Sequence, residues 1–253
     1  MNRDLSIIIP SLNEPRIADA IRSVRRFDDV GAARLVIVDG GSSPETLALI
    51  RARLQPGDTL ISEPDHGIFD ALNKGLNAVR TGYVGWLGGD DVFTDEIHSS
   101  DVLEALATAD LYIGCLGFIG KGRLRRVTYS WPAAHGLAGV GLHNAHFATF
   151  GRSELLKRER FDPADPAADA DYFLRIFDRA PRVAPTGRIV VYQRLGGASN
   201  GSAAKVLRMN RAVFRTYRRR TNALQAGLAV ALKVGAKAAS AAYCRIRPVK
   251  VKL

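Results

Sequence analysis

Two adjacent carboxylates end a short apolar run in Tyr83-Val84-Gly85-Trp86-Leu87-Gly88-Gly89-Asp90-Asp91. The run reads as a buried strand. Two aspartates at its end are costly to bury unpaired, and a hard divalent cation with its waters would satisfy them. Such a cation also neutralises a diphosphate leaving group. A second pair lies in Asp169-Ala170-Asp171-Tyr172, at the head of a helical pattern where the helix dipole favours negative charge. A carboxylate there could take a proton from an attacking hydroxyl, and at about pKa 4 it is ionised at neutral pH without tuning. Together the two pairs fit sugar transfer from a nucleotide sugar by direct displacement, which inverts the anomeric centre. Each pair also has a plain structural reading, a solvated turn at Asp90-Asp91 and a first-turn cap at Asp171.

Other chemistries lack their residues. No Gly-x-Gly-x-x-Gly follows the first strand, and the sequence has no P-loop, Gly-x-Ser-x-Gly, His-Glu-x-x-His or cysteine cluster. The histidines His66, His98, His135, His143 and His146 share no metal-ligand spacing. His143 and His146 are open as phosphate or acceptor contacts, or as packed histidines. Cys115 and Cys244 lie far apart and suggest a reduced compartment.

The elements that must position these groups alternate. Leu5 to Ile9 reads as strand one, stopped by Pro10, with a helix from about Arg16 to Phe27. Leu35–Val38 is strand two, and Ser42 or Ser43 caps a helix from about Glu45 to Arg53. Strand three is Thr59–Ser62, and a helix spans about Phe69 to Val79. Tyr83 to Leu87 is strand four. Four strand–helix alternations imply an α/β fold with a parallel sheet and helices on both faces. Asn13, Asp39, Asp65 and Asp90-Asp91 then fall at strand carboxyl ends, facing one cleft. Further on, the pattern predicts a helix from about Ser99 to Ala107 and a hairpin of Asp110–Ile119 with Arg123–Ser130, where the sheet becomes mixed. A short helix from Ser153, a helix ending at Phe177 and a broken strand from Val183 to Gln193 follow. A glycine-bearing loop, Arg194 to Ser199, closes the core.

Net charge is +11 over 253 residues. Thirteen Lys or Arg and no Asp or Glu occur from Gly201 onward, so the first 200 residues are slightly acidic. That distribution suits an enzyme core with a basic tail and not a nucleic-acid-binding domain. The tail predicts a basic helix from Ala203 to Arg220 and a second from Asn222 to Tyr243. Leu224, Leu228, Ala231, Leu232 and Gly235 would form the second helix's apolar face. Lys233 and Lys237 sit centrally and argue against a membrane span. The preferred reading is a helix lying on an anionic membrane, the alternative a helix packed on the core or on a second subunit. Residues 245–253 are expected to fray. The N-terminal apolar run is too short for a signal peptide, which suggests a cytoplasmic protein, peripheral on the cytoplasmic face of an inner membrane.

Four motifs in order carry a resemblance: Ser6-Ile7-Ile8-Ile9-Pro10-Ser11-Leu12-Asn13; Val38-Asp39-Gly40-Gly41-Ser42-Ser43; Ser62 through Gly75; and Gly82 through Asp91, with Asp169-Ala170-Asp171-Tyr172 beyond them. Over about residues 1 to 200 the sequence resembles family 2 glycosyltransferases with the GT-A fold, of the bacterial kind that builds surface polysaccharides, lipopolysaccharide included. The resemblance implies a Rossmann-like, mostly parallel central sheet with a basic helical C-terminal tail. It implies a nucleotide-sugar-binding half over 1–115, an acceptor half over 116–200 and an extension over 201–253. Pro10, Ser11 and Asn13 would lie against the nucleoside, and Asp39 would accept a hydrogen bond from the base, as with UDP-sugars. Asp65 and Gly67 would line the nucleoside or sugar, and Lys74 would assist at the diphosphate. Asp90 would contact ribose or sugar, and Asp91, with Asp90, would hold Mn2+ or Mg2+. Asp171 would be the general base, with Asp169 its rival. Arg194 and Ser199 would close over the diphosphate. A lipid-linked saccharide acceptor is implied, no nucleic-acid partner is, and a homo-oligomer stays open. Pro44-Glu45 departs from the usual Asp-Gly-x-Ser-x-Asp pattern. The rival readings are a nucleotidyltransferase and a non-catalytic binding protein of the same fold.

Overall fold

The computed structural model describes residues 4–128, 146–195 and 203–251. The first half alternates: β1 Leu5–Ser11, α1 Ile17–Phe27, β2 Ala33–Asp39, α2 Pro44–Arg51, β3 Thr59–Ser62, α3 Ile68–Ala78, β4 Tyr83–Trp86. Next come β5 Val92–Phe93, α4 Ser99–Thr108, β6 Leu111–Gly120 and β7 Arg123–Thr128. A 3-10 turn at His146–Ala148 leads to β8 Thr149–Arg152, α5 Ser153–Leu156, α6 Ala168–Phe177 and β9 Val183–Arg194. The tail forms α7 Ala203–Arg218 and α8 Ala223–Ile246.

One sheet runs in the order β3-β2-β1-β4-β8-β6-β9-β5, with β7 also on β6. The strands β3, β2, β1 and β4 are parallel, whereas β8 is antiparallel to both its neighbours. The order reverses between β1 and β4, the place where open α/β sheets bind ligands beyond their carboxyl ends. Every residue of β1 is buried, as expected of a strand covered on both faces. On one face Phe27 of α1 stacks with Phe93 and Phe150. On the other, Trp86 meets Phe161 and Tyr172 edge-on, and Tyr172 carries α6 onto the sheet.

Pro10 does not stop β1, which continues to Ser11 in register with β2. Leu87 donates to the Ile8 carbonyl, so Ile8 turns its backbone toward β4, as does Pro10 two residues later. Pairing with β4 has ended by then, and the missing proline N–H leaves no gap in the ladder. Ser43, of the two candidate serines, caps α2, accepting from the Thr46 N–H.

In the tail the apolar leucine face of α8 points outward, with Leu224, Leu228 and Leu232 exposed, while Ala226, Ala229 and Cys244 are buried against the body. The expected fraying does not hold for residues 249–251: Leu124 N–H donates to the Val249 carbonyl at 2.9 Å and Val251 N–H to the Gly122 carbonyl at 3.0 Å. Among the described residues, no helix is long and apolar enough to cross a membrane.

Candidate active site

The loops after the first four strands are tied into one surface. Asn13 links the first two: its N–H donates to Ser42 Oγ at 2.7 Å, and its Oδ1 accepts from the Ser43 N–H at 2.8 Å. A side chain at Gly40 would collide with the Asp65 carboxylate, so glycine lets the second and third loops close together. Gly89 brings the β4 loop against the Pro10 carbonyl, and a side chain at Gly88 would strike Asp91. Ser11 is buried, and its Oγ has no hydrogen-bond partner among the described residues.

Asp39 ends β2 with no exposed surface. Its Oδ2 accepts from the N–H groups of Gly41 at 3.1 Å and Ser42 at 3.0 Å, and from Ser62 Oγ at 3.0 Å. Burial pulls its pKa up, but the bonds from Ser42, Ser62 and Gly41 outweigh that and hold it below the usual value. Its Oδ1 is buried and unpaired among the described residues. A buried acceptor left open calls for a donor, and a base N–H would supply one.

Asp91 is 3% exposed, while Asp90 is half-buried. Gln193 Nε2 donates to Asp91 Oδ2 at 2.9 Å, and the Arg194 N–H donates to Oδ1 at 3.3 Å. Burial and then the Asp90 charge push Asp91 up to about 7, which the bonds from Gln193 and Arg194 offset only in part. That strain is what a cation would relieve, and two hard oxygen donors fit Mn2+ or Mg2+. Among the described residues no group of three or more His, Cys, Asp or Glu is placed to hold a metal. Two carboxylates suffice where phosphate oxygens and water complete the shell. Arg194 Nε donates to the Asp90 carbonyl at 3.1 Å, which sets its guanidinium beside the pair.

Asp65 Oδ1 accepts from the Gly67 N–H at 2.8 Å, shaping the turn into α3. Lys74 has another task than the one expected. Its ammonium meets the Pro64 carbonyl at 2.8 Å, Glu63 at 2.9 Å and Asp70 at 3.5 Å, which commits it to its own loop.

Asp169 and Asp171, two apart in the first turn of α6, face different ways. Asp171 accepts from Arg175 Nε at 2.9 Å and lies 3.9 Å from Arg220. Arg175 also pairs with Glu159, so Asp171 belongs to an ion-pair network. Asp169 lies 3.5 Å from His146 Nδ1 and within electrostatic reach of Lys233 and Lys237. The His146 Nε2 is buried and unpaired among the described residues. Gln193, which holds Asp91, lies in register with Phe118, and the Arg126 guanidinium stacks on that ring. Ser199, His135 and His143 lie outside the described residues. Gln193 and Ser62 went unread in the sequence, where a lone amide or hydroxyl at a strand end carries no pattern.

Residues 6–168 match the model of glycosyl transferase family 2. The PGL/p-HBAD biosynthesis glycosyltransferase of Mycobacterium tuberculosis is 28% identical over 221 residues, covering 77% of this chain and 78% of its own. The fold is similar to S. aureus TarS 1-349 in complex with UDP-GlcNAc (TM-score 0.64, 15% identity, 84% of this chain), of which this chain spans only 65%. It is also similar to the mannosyltransferase PcManGT from Pyrobaculum calidifontis in complex with GDP-Man and Mn2+ (TM-score 0.64, 17% identity, 96% of this chain and 75% of that one).

Proposed function

Because this chain belongs to glycosyl transferase family 2 and is a glycosyltransferase of the GT-A fold, we propose that it moves a sugar from a UDP-sugar, with Mn2+ or Mg2+, to an acceptor hydroxyl with inversion. One observation carries the reading: the open Asp39 acceptor at the end of β2 and the Asp90-Asp91-Arg194 group beyond β4 lie on either side of β1, next to the sheet's switch point. Asp39 Oδ2 is fully engaged and Oδ1 is open, so the pocket asks for one donor. Uracil offers one ring N–H, whereas guanine presents two adjacent donors.

Asp90 and Asp91 would hold the cation, which when bound offsets the charge of the departing diphosphate. Arg194 would give guanidinium donors to the same oxygens. Pro10, Ser11, Asp65 and Gly67 would wall the nucleoside and sugar. Asp169, and not Asp171, is the better general base: Asp171 is spent on Arg175 and Arg220, while Asp169 is met by His146, an imidazole that could relay its proton. The acceptor is a lipid-linked saccharide of a surface-polysaccharide pathway, and the exposed leucines of α8 among the tail's basic residues would rest on an anionic cytoplasmic membrane face.

Calorimetry with UDP, GDP, CMP and dTDP, each with and without Mn2+, tests the donor site. Tight, metal-dependent binding of UDP, lost in Asp91→Ala, is expected. No binding of any nucleotide would remove the donor-cleft assignment.

A further inference from the structure

The helix α8 is fastened to the body at two places. Ala226 and Ala229 pack with Ala167, Ala170, Val213 and Tyr217. Farther along, Ser240 Oγ accepts from the Val127 N–H at 2.8 Å, and Cys244 packs with Cys115, Leu124 and Val127. Between Ala229 and Ser240 lies about 16 Å of helix. On the inward stripe of that span stand Lys233 and Lys237, both half-buried, while neighbouring Leu228 and Leu232 are 48% and 47% exposed. Lysine turned in with leucine turned out reverses the ordinary preference.

Across the span is Arg126 of β7. Its guanidinium lies 3.9 Å over the Phe118 ring, and its Nε is buried without a partner among the described residues. Burial, then repulsion from Lys237, lowers Lys233 to about 8, and Lys237 is lowered by burial and then by Arg126. None of the three cations forms an ion pair among the described residues. The sequence has no Asp or Glu between Asp110 and Glu154 and none after Asp178, so residues 129–145 and 196–202 contribute no acidic side chain either. Asp169 is the nearby carboxylate, one against three positive charges, and it also faces His146. Half-buried cations gathered without anions are unfavourable unless an anion is bound there.

We propose that Arg126, Lys233 and Lys237 form a binding site for a phosphoryl group carried by the acceptor. The placement beside the acceptor hydroxyl rests on the reading of Asp169 as the base; the anion site itself does not. Two ammonium groups and a guanidinium match the several oxygens of a phosphate ester. With Asp169 adjacent, the phosphoryl group would anchor the acceptor while its hydroxyl meets the base. A lipid-linked saccharide and a soluble sugar phosphate both carry such a group, and the site's chemistry toward it is the same.

The test uses the full chain, with farnesyl phosphate, inorganic phosphate and farnesol as probes in calorimetry, with and without saturating UDP and Mn2+. The variants are Lys233→Gln/Lys237→Gln, Arg126→Gln, and the outward-facing control Arg245→Gln/Arg247→Gln, which also removes two charges. We expect both phosphorylated probes to bind wild type, with affinity at least ten-fold weaker in the inward variants and unchanged in the control. Tighter binding of farnesyl phosphate than of inorganic phosphate would support the site and assign a lipid-linked source; equal binding would support it with a soluble one. Phosphate binding that falls equally in the control, or does not fall in the inward variants, would overturn the proposal. Binding of UDP with Mn2+ is read on the same variants and should not change, so a failed donor site and a failed phosphoryl site give different results.

Discussion

The two sides of the proposed cleft are built differently. On the donor side four parallel strands deliver their loops to one line, and the groups are held by backbone: Asp39 by the Gly41 and Ser42 N–H groups, Asp91 by that of Arg194. On the acceptor side the groups come from β7, α6 and α8, far apart in sequence, and the cations of β7 and α8 have no ion-pair partner among the described residues. A site fixed by loops of a regular sheet suits a constant ligand. A site assembled from a hairpin and a tail helix can change its ligand without disturbing the sheet.

The contrast can be broken most sharply at the two chemical centres. Asp91→Ala should cut sugar transfer by about a hundred-fold or more, with metal-dependent nucleotide binding lost, because the buried ligand has no substitute. Asp169→Asn should lower kcat by about a thousand-fold and leave UDP binding intact, since the base touches only the acceptor. Asp171→Asn should instead lower the melting temperature by a few degrees, about 1 kcal/mol, with kcat within a few-fold of wild type. If Asp171→Asn and not Asp169→Asn abolished turnover, the assignment of the two carboxylates would be reversed. A smaller effect is expected at Asp39→Asn, where one base contact weakens and UDP affinity falls about ten-fold, on the order of 1.4 kcal/mol. Selectivity for UDP over CMP should narrow in the same variant.

The donor side was legible in the sequence for a physical reason. Short apolar strands separated by amphipathic helices dictate a parallel sheet, and a parallel sheet dictates where loop residues gather, so Asp39, Asp65 and Asp90-Asp91 could be placed from order alone. The details decided by side-chain geometry could not. Lys74 is held by Glu63 and Asp70 from its own neighbourhood, and Gln193 reaches Asp91 from 102 residues away. Helical periodicity found the leucine stripe of α8 but not the stripe that packs on the body, because small alanines add little to an apolar pattern. In α8 small alanines make the close contacts, and the leucines are left outside.

That inversion gives the gentlest prediction, and its sign is fixed by linkage. Lys233 titrates near 8 in the folded protein against the usual 10.5. Between those values the unfolded chain binds more protons than the folded one, so Lys233's contribution makes stability rise with pH. Below about pH 8 both states are protonated, and the folded state bears the full cost of the buried charge. Lys233→Met should therefore raise stability at pH 7, by on the order of 1 kcal/mol once solvent screening is allowed for, and by progressively less as pH approaches 10. Denaturation by urea at pH 7 and pH 10 measures both differences. Added phosphate should erase the advantage at pH 7, since it stabilises wild type through the same ammonium that the variant lacks. A variant that is equally stabilised at both pH values would mean that Lys233's charge carries no cost, and the acceptor side would then be as well compensated as the donor side.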